Sequence, residues 1–374
     1  MKIVDVKTQM VSLPLISPYR IAPGTCRYAT SVLVKIITDE GAEGVGETAV
    51  TVPERGGETQ ESIKISLEKY IVPQIIGMDP RDIGLVIKKI EDFHWGKTGF
   101  LCAKAGIDNA LYDLVGKYYG LPVYQLLGGA HRKSFSLTRS LGVRTPEEMA
   151  EEAVQLKSLG YKMLTIKAGF DPQQDIERVA AVRDAVGQDF PLEVDVNGGY
   201  TIDVAIPTLR KMVKYGIENV EQPVPWWDLE GMAEVRRLVE ISVTADESAW
   251  TPYDVIEIIR KRAADRICIK PIKSGGLYCS SRIADVAEAG GLRCVMGSKH
   301  PLGPGTAAIL HFAAAKSCVD EVLGYGSPLE RFTDDIAVNP VQIVDGIVTI
   351  SDAPGLGVVL DEEKLKRYDG APKE

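Results

Sequence analysis

The stretch KMLTIKAGFDPQQDIERVAAVRDAVG, residues 162–187, is one short apolar run followed at once by an amphipathic helical pattern. Met163, Leu164 and Ile166 give the run the character of a buried strand, and Lys167 ends it. A cation at the end of a core strand needs a reason, and the neighbouring sequence supplies one. The same unit recurs on both sides. FSLTRSLG precedes the helical TPEEMAEEAVQLKSLG, and PLEVDVNGG precedes TIDVAIPTLRKMVKYG. The runs IENVEQP, ISVTADES, DRICIKP, LRCVMGS and DEVLGYG follow, making eight apolar runs with a helical pattern between each pair. Helix starts are marked by the capping box of Thr145, Pro146 and Glu148 and by Thr251–Pro252. Repeated strand–helix units imply a parallel sheet, and eight strands over this length favour a closed (β/α) barrel to a doubly wound sheet.

The flanks read differently. Residues 1–125 form an α+β unit. MKIVDVKTQMVSLPL and SVLVKIITDEGAEGVGETA alternate as strands, with ISPYRIAPGTCRYAT (16–30) between them read as a loop, and helical patterns fill 57–119. CAKAGIDNALYDLVGKYYG is a helix that stops at Gly120. Residues 126–326 form the barrel. In the tail, 327–374, VQIVDGIVTI reads as a hairpin turning at Asp345–Gly346, and the segment is expected to pack back on the N-terminal unit.

Composition narrows the function. The 374 residues carry a formal net charge of −9, which argues against nucleic acid or an anionic membrane as partner. Six cysteines without CxxC spacing read as reduced core residues. The first residues lack a signal-peptide pattern, and no apolar run is long enough to span a bilayer, so the expected location is the cytoplasm.

The chemistry sits where the strands end. Active sites of barrels lie at the C-terminal ends of the strands. There the sequence presents Lys167, Asp195 with Asn197, Glu221, Asp246 with Glu247, and Lys270, spaced by 28, 26, 25 and 24 residues. Three carboxylates at one barrel mouth repel one another unless a cation neutralises them. All-oxygen ligands on a rigid scaffold suit a hard divalent ion, Mg²⁺ foremost. Strands 2 and 6 of an eight-stranded barrel face each other, which puts Lys167 and Lys270 on opposite faces of a carboxylate substrate. A dication and a second ammonium nearby are expected to depress a lysine pKa, so that it acts as a base on the substrate's α-carbon. The opposing reading is a structural network in which both lysines are salt-bridged to the carboxylates.

These motifs resemble the enolase superfamily and, within it, the muconate-lactonizing-enzyme subgroup. The resemblance runs over almost the whole chain: GVGETA, AKAGIDNALYDLVGKYYG, VDVNGGYT, VEQPV, TADES, KPIKSGG and DAPGLGVVLDEE. It implies a modified (β/α)₇β barrel under an α+β capping domain built from the N-terminal segment and the C-terminal tail. By this resemblance Asp195, Glu221 and Asp246 hold Mg²⁺, Lys167 and Lys270 form the acid/base pair, and Asn197, Glu247 and Ser298 support them. A homo-oligomer is also implied. Superfamily sites that pair a lysine base with Mg²⁺ are an established pattern. One departure stands out. The subgroup usually has Lys-x-Lys on strand 2, and here the triplet is Thr165-Ile166-Lys167.

Lysines on both faces suit a racemase or epimerase. Cycloisomerisation (lactonisation) or β-elimination by a dehydratase needs only one of them, and a metal-dependent binding module or a structural protein needs neither as a base. Loop 16–30 and the segment Thr51–Gly57 are expected to close over the mouth. Tyr19, Tyr28, Trp226, Trp227 and His300 are candidates for substrate contact. Aromatic walls suit an apolar group or an alkylated ammonium. Dipeptide epimerases of the subgroup this chain resembles place acidic residues at the end of strand 8; here it ends in GYGSP without one, so the resemblance disfavours a dipeptide and favours an amino acid with a modified nitrogen, such as a betaine or a proline derivative.

Overall fold

The computed structural model describes residues 1–21, 24–50, 58–93 and 99–372. Three strands, β1 (Ile3–Ile21), β2 (Gly24–Thr38) and β3 (Glu43–Val50), form an antiparallel sheet in that order. Within the stretch read above as a loop, residues 16–21 and 24–30 instead belong to the far arm of the β1–β2 hairpin. Pairing is irregular between Pro14 and Tyr19 and then resumes, with Tyr19 opposite Cys26 and Arg20 opposite Thr25. The prolines cannot donate to the ladder, so they interrupt the pairing without ending it. The segment Thr51–Gly57, expected to act as a lid, lies outside the described residues.

Helices α1 (Gln60–Ser66), α2 (Ile83–Phe93) and α3 (Leu101–Tyr119) pack on this sheet through Ile63, Val86, Ile87, Leu111 and their neighbours. The approach is close because GVGETA removes side chains where β3 meets α3. A Cβ at Gly44 would fall 2.2 Å from the Ala110 carbonyl oxygen, and one at Gly46 2.1 Å from that of Gly106. Helix α3 stops at Gly120 in the left-handed conformation, φ 69°.

The barrel follows as strand–helix units. They are β4 (Ser134–Leu141) with α4 (Pro146–Ser158), β5 (Met163–Lys167) with α5 (Pro172–Val186), β6 (Leu192–Asp195) with α6 (Ile202–Met212), and β7 (Ile217–Glu221) with α7 (Leu229–Leu238). Then come β8 (Ser242–Ala245) with α8 (Pro252–Lys261), β9 (Arg266–Ile269) with α9 (Leu277–Ala289), β10 (Arg293–Met296) with α10 (Gly303–Ala315), and β11 (Val322–Leu323). The parallel order is β10-β9-β8-β7-β6-β5-β4-β11. Backbone bonds from Cys294 to Cys318 (2.9 Å) and from Gly324 to Met296 (3.0 Å) draw β10 and β11 together and all but close the ring. The capping box predicted at Thr145 is formed, and the helix that starts at Thr251–Pro252 as predicted carries one as well.

Alternation decides which side chains face inward. Leu164, Ile166, Val194, Val220 and Val243 are buried in the large apolar cluster. Their neighbours Lys167, Asp195 and Glu221 are partners across β5, β6 and β7 and so stand at one level.

The tail corrects one expectation. Asp345 (φ 51°) and Gly346 (φ 68°) make the tight turn, but the predicted hairpin does not extend beyond it. The strand after the turn, β12 (Ile347–Thr349), pairs antiparallel with β4 of the barrel. The turn is fixed against the α4–β5 connection, where a Cβ on Gly346 would meet the Gly160 carbonyl oxygen at 2.1 Å. Further on, helix α11 (Glu362–Arg367) brings Leu365 into an apolar cluster with Val11 and Leu13 of β1, and Ser12 N–H bonds Tyr368 O at 2.9 Å. Among the described residues no helix is long and apolar enough to cross a membrane.

Candidate active site

A cavity of about 370 Å³ opens at the C-terminal end of the strands. The five strand-end residues singled out above, Lys167, Asp195, Glu221, Asp246 and Lys270, all line it. Lys167 donates to Asp195 Oδ2, and Lys270 donates to Asp246 Oδ2. Lys270 Nζ also stands 4.0 Å from Glu221 Oε1. Asn197, at φ 52°, turns back on Asp195: its backbone N–H reaches Oδ1 at 2.8 Å and its side chain reaches Oδ2 at 2.7 Å. Its amide also reaches Glu247 Oε1 at 3.3 Å.

Lys273, whose role the sequence did not reveal, completes the charge pattern. The single helical turn Pro271–Ser274 carries it back over the strand ends, and its Nζ lies 2.6 Å from both Oδ1 and the carbonyl oxygen of Asp246. The three-residue spacing in KPIK is the signal for it, because one turn of helix puts both lysines near one carboxylate.

The electrostatics differ from carboxylate to carboxylate. Glu221 is pushed well up, first by burial and then by the charges of Asp195 and Asp246. Asp246 would also be raised by burial, but Lys270 and Lys273 outweigh this and hold it well down. At Lys270 two influences oppose each other. Burial pulls it down, yet the negative charges beside it, Asp246 foremost and Glu221 among them, hold it well above the ordinary range. Adjacent carboxylates outweigh an ammonium on the far side of the barrel. Glu221, Asp246 and Cys268 each bring one ligand atom to within 4.8 Å of the others, whereas Asp195, engaged by Lys167 and Asn197, is outside that group.

Thr165 faces the cavity beneath Lys167, and its hydroxyl is committed to Glu193 Oε1 at 2.5 Å, with Thr138 Oγ1 at 3.3 Å. Glu193 is therefore a half-buried partner of the unusual threonine, and the sequence did not flag it.

The substrate-contact candidates divide. Tyr19 reaches the cavity from the β1–β2 hairpin, and His300 and Ser298 line it from the segment after β10. Burial and the charges of Arg331 and Arg139 hold the His300 imidazole well below its usual range. Tyr28 pairs with Pro14 on the hairpin and is not among the lining residues. Trp226 and Trp227 are 61% and 66% exposed and stand outside the cavity. Ser248 Oγ holds the Trp226 carbonyl at 2.8 Å, which ties that loop to the β8 end. The tryptophan that does line the cavity is Trp250, anchored by Nε1 to Glu247 O at 2.9 Å. The Tyr19 and Trp250 rings already carry a protein cation: the Arg331 guanidinium lies 4.1 Å from the Tyr19 centroid, and Lys299 Nζ lies 5.3 Å from that of Trp250.

Comparison with known proteins agrees with this architecture. Residues 3–128 match the family described as mandelate racemase / muconate lactonizing enzyme, N-terminal domain, and residues 148–364 match enolase C-terminal domain-like. The chain is 38% identical to an L-Ala-D/L-Glu epimerase of Clostridium acetobutylicum over 96% of its length and 99% of the relative's. It is 36% identical to muconate cycloisomerase 1 of Rhodococcus opacus over 98% of each chain. The crystal structure of N-succinyl Arg/Lys racemase from Bacillus cereus superimposes with a TM-score of 0.94 at 33% identity, covering 99% of this chain and 98% of that one. The chain belongs to the mandelate racemase/muconate lactonizing enzyme family and is an isomerase of the enolase superfamily.

Proposed function

We propose that this isomerase catalyses 1,1-proton transfer at the α-carbon of an N-acylated amino acid, racemising or epimerising it. The observation that carries this reading is the placement of Lys167 and Lys270. They enter one cavity from β5 and from the end of β9, four strands apart in an eight-stranded ring. One lysine removes the α-proton from one face, and the other returns a proton to the opposite face.

The donor set fits a hard divalent cation. Glu221 is raised first by burial and then by the negative charge of Asp195 and Asp246, and a dication at the three carboxylates would relieve that repulsion. Asp195, Glu221 and Asp246 are the residues that would hold it, and Mg²⁺ is the ion that suits oxygen ligands of this kind. When bound, such an ion supplies positive charge to the substrate carboxylate as the α-proton leaves. Asn197 and Lys273 keep Asp195 and Asp246 aimed at the centre.

The acyl group follows from the roof. The cation–π partners of Tyr19 and Trp250 are already protein side chains, so the rings are poor receptors for a substrate ammonium. This weighs against the betaine expected above. The end of β11 carries Gly324, Tyr325 and Gly326, and the Tyr325 hydroxyl is bound to Pro301 O at 2.9 Å. A neutral amide nitrogen suits such surroundings better than a free α-amine. Cycloisomerisation is the second reading, favoured by the kinship to muconate cycloisomerase.

The test is incubation in D₂O with N-succinyl and N-acetyl amino acids, free amino acids, betaines, dipeptides and muconate. One deuterium per molecule with loss of optical rotation in the N-acyl compounds supports the proposal. Exchange confined to free amino acids and betaines, exchange in dipeptides only at the residue that bears the free ammonium, or consumption of muconate alone, contradicts it.

A further inference from the structure

Five of the six cysteines lie in hydrophobic clusters, and Cys268 does not. It is two residues before Lys270, so both project to the inner face of the barrel. Cys268 is 1% exposed and lines the cavity. Among the described residues its thiol has no hydrogen-bond partner. Space is kept open beside it by Gly297, where a Cβ would fall 2.7 Å from Sγ and 2.4 Å from Lys270 Cε. Its sulfur and one oxygen each of Glu221 and Asp246 lie within 4.8 Å of one another, the spacing of ligands around one ion.

We propose that Cys268 is a latent thiolate ligand at the cation centre, taking borderline-soft divalent ions such as Co²⁺ and Zn²⁺ together with Glu221 and Asp246. This rests on the reading that the carboxylates hold a divalent cation. Ligand softness separates the two uses of the centre. A hard ion draws on the carboxylates and leaves the thiol protonated, whereas a borderline ion binds sulfur and releases one proton to solvent: Cys–SH plus M²⁺ gives the M²⁺–thiolate and H⁺. The sulfur lies beside the Lys270 stem, so a thiolate-bound ion sits against one member of the lysine pair.

Cobalt(II) provides the readout, independent of turnover. Added to the chelator-stripped protein, Co²⁺ is expected to give visible ligand-field bands from any bound ion and a near-ultraviolet sulfur-to-cobalt charge-transfer band from the thiolate. Cys268→Ala and Cys268→Ser are expected to keep the visible bands and lose the near-ultraviolet one, and the visible bands show that each variant still folds and binds. Visible bands without charge transfer in the unaltered protein would overturn the inference, as would a charge-transfer band that survives Cys268→Ala. No cobalt absorption in any of the three proteins would instead overturn the carboxylate centre on which the inference depends.

Discussion

Glu47 of the GVGETA motif offers a prediction whose size comes directly from its surroundings. Its carboxyl is buried where the cap meets the N-terminus of α10, accepting from Ser31 Oγ at 2.6 Å, Leu302 N–H at 2.7 Å and Gly305 N–H at 2.9 Å. Burial pushes its pKa up from 4.5 to about 7; these three donors pull the other way, and nearby Asp335 adds to the rise. Between those two values the folded chain holds a proton that the unfolded chain has released. Stability from this group is therefore fully present below about pH 4.5 and is lost as the pH rises through about 7, by roughly 3 kcal/mol. For a chain of 374 residues that is about 4 °C in Tm. Glu47→Gln keeps the shape of the protonated acid and removes the titration. Thermal unfolding by circular dichroism from pH 4.5 to 8 is expected to show the unaltered protein losing about 4 °C relative to the variant across that range. A difference between the two proteins that does not change with pH would refute the reasoning. Asp335, also raised by burial, to about 6, titrates in both proteins, so only its coupling to Glu47 enters the comparison.

Three further outcomes are expected. Gly46→Ala forces a Cβ to 2.1 Å from a helix carbonyl that cannot move aside, and should cost at least about 1–3 kcal/mol in urea unfolding. Thr165→Val removes the donor to Glu193 Oε1 and is expected to destabilise the fold by about 1–3 kcal/mol, whereas Thr165→Ser stays close to the parent. EDTA should abolish turnover and Mg²⁺ restore it; full activity in a preparation shown by elemental analysis to be metal-free would refute the carboxylate centre.

The barrel was legible because each strand is a short apolar run ended by a polar residue at nearly constant spacing, and alternation then fixed which residues face inward. Lys167, Asp195, Glu221, Asp246 and Lys270 were found in this way, and all reach one cavity. What the sequence hid depends on tertiary contacts. The prolines of 16–30 suggest a loop, yet the chain resumes pairing beyond them. Trp226–Trp227 are candidates because they follow strand 4, but Ser248 ties their loop to β8 and both rings stay exposed, while Trp250 turns inward. Cys268 reads as core in a run such as RICIK, and only its neighbours Glu221 and Asp246 distinguish it. The partner of Thr165 is similarly invisible until β5 is laid beside β6 and Glu193 comes opposite it.

The two-lysine claim is tested most directly by Lys167→Ala and Lys270→Ala, each given the separate enantiomers of an N-acyl amino acid that the parent protein racemises, in D₂O. Racemisation is expected to fall by at least about 10²-fold in both variants. Each variant should still exchange the α-proton of one enantiomer, and the two variants should retain opposite ones. Substantial racemisation by either variant, or retention of the same enantiomer by both, would contradict the account.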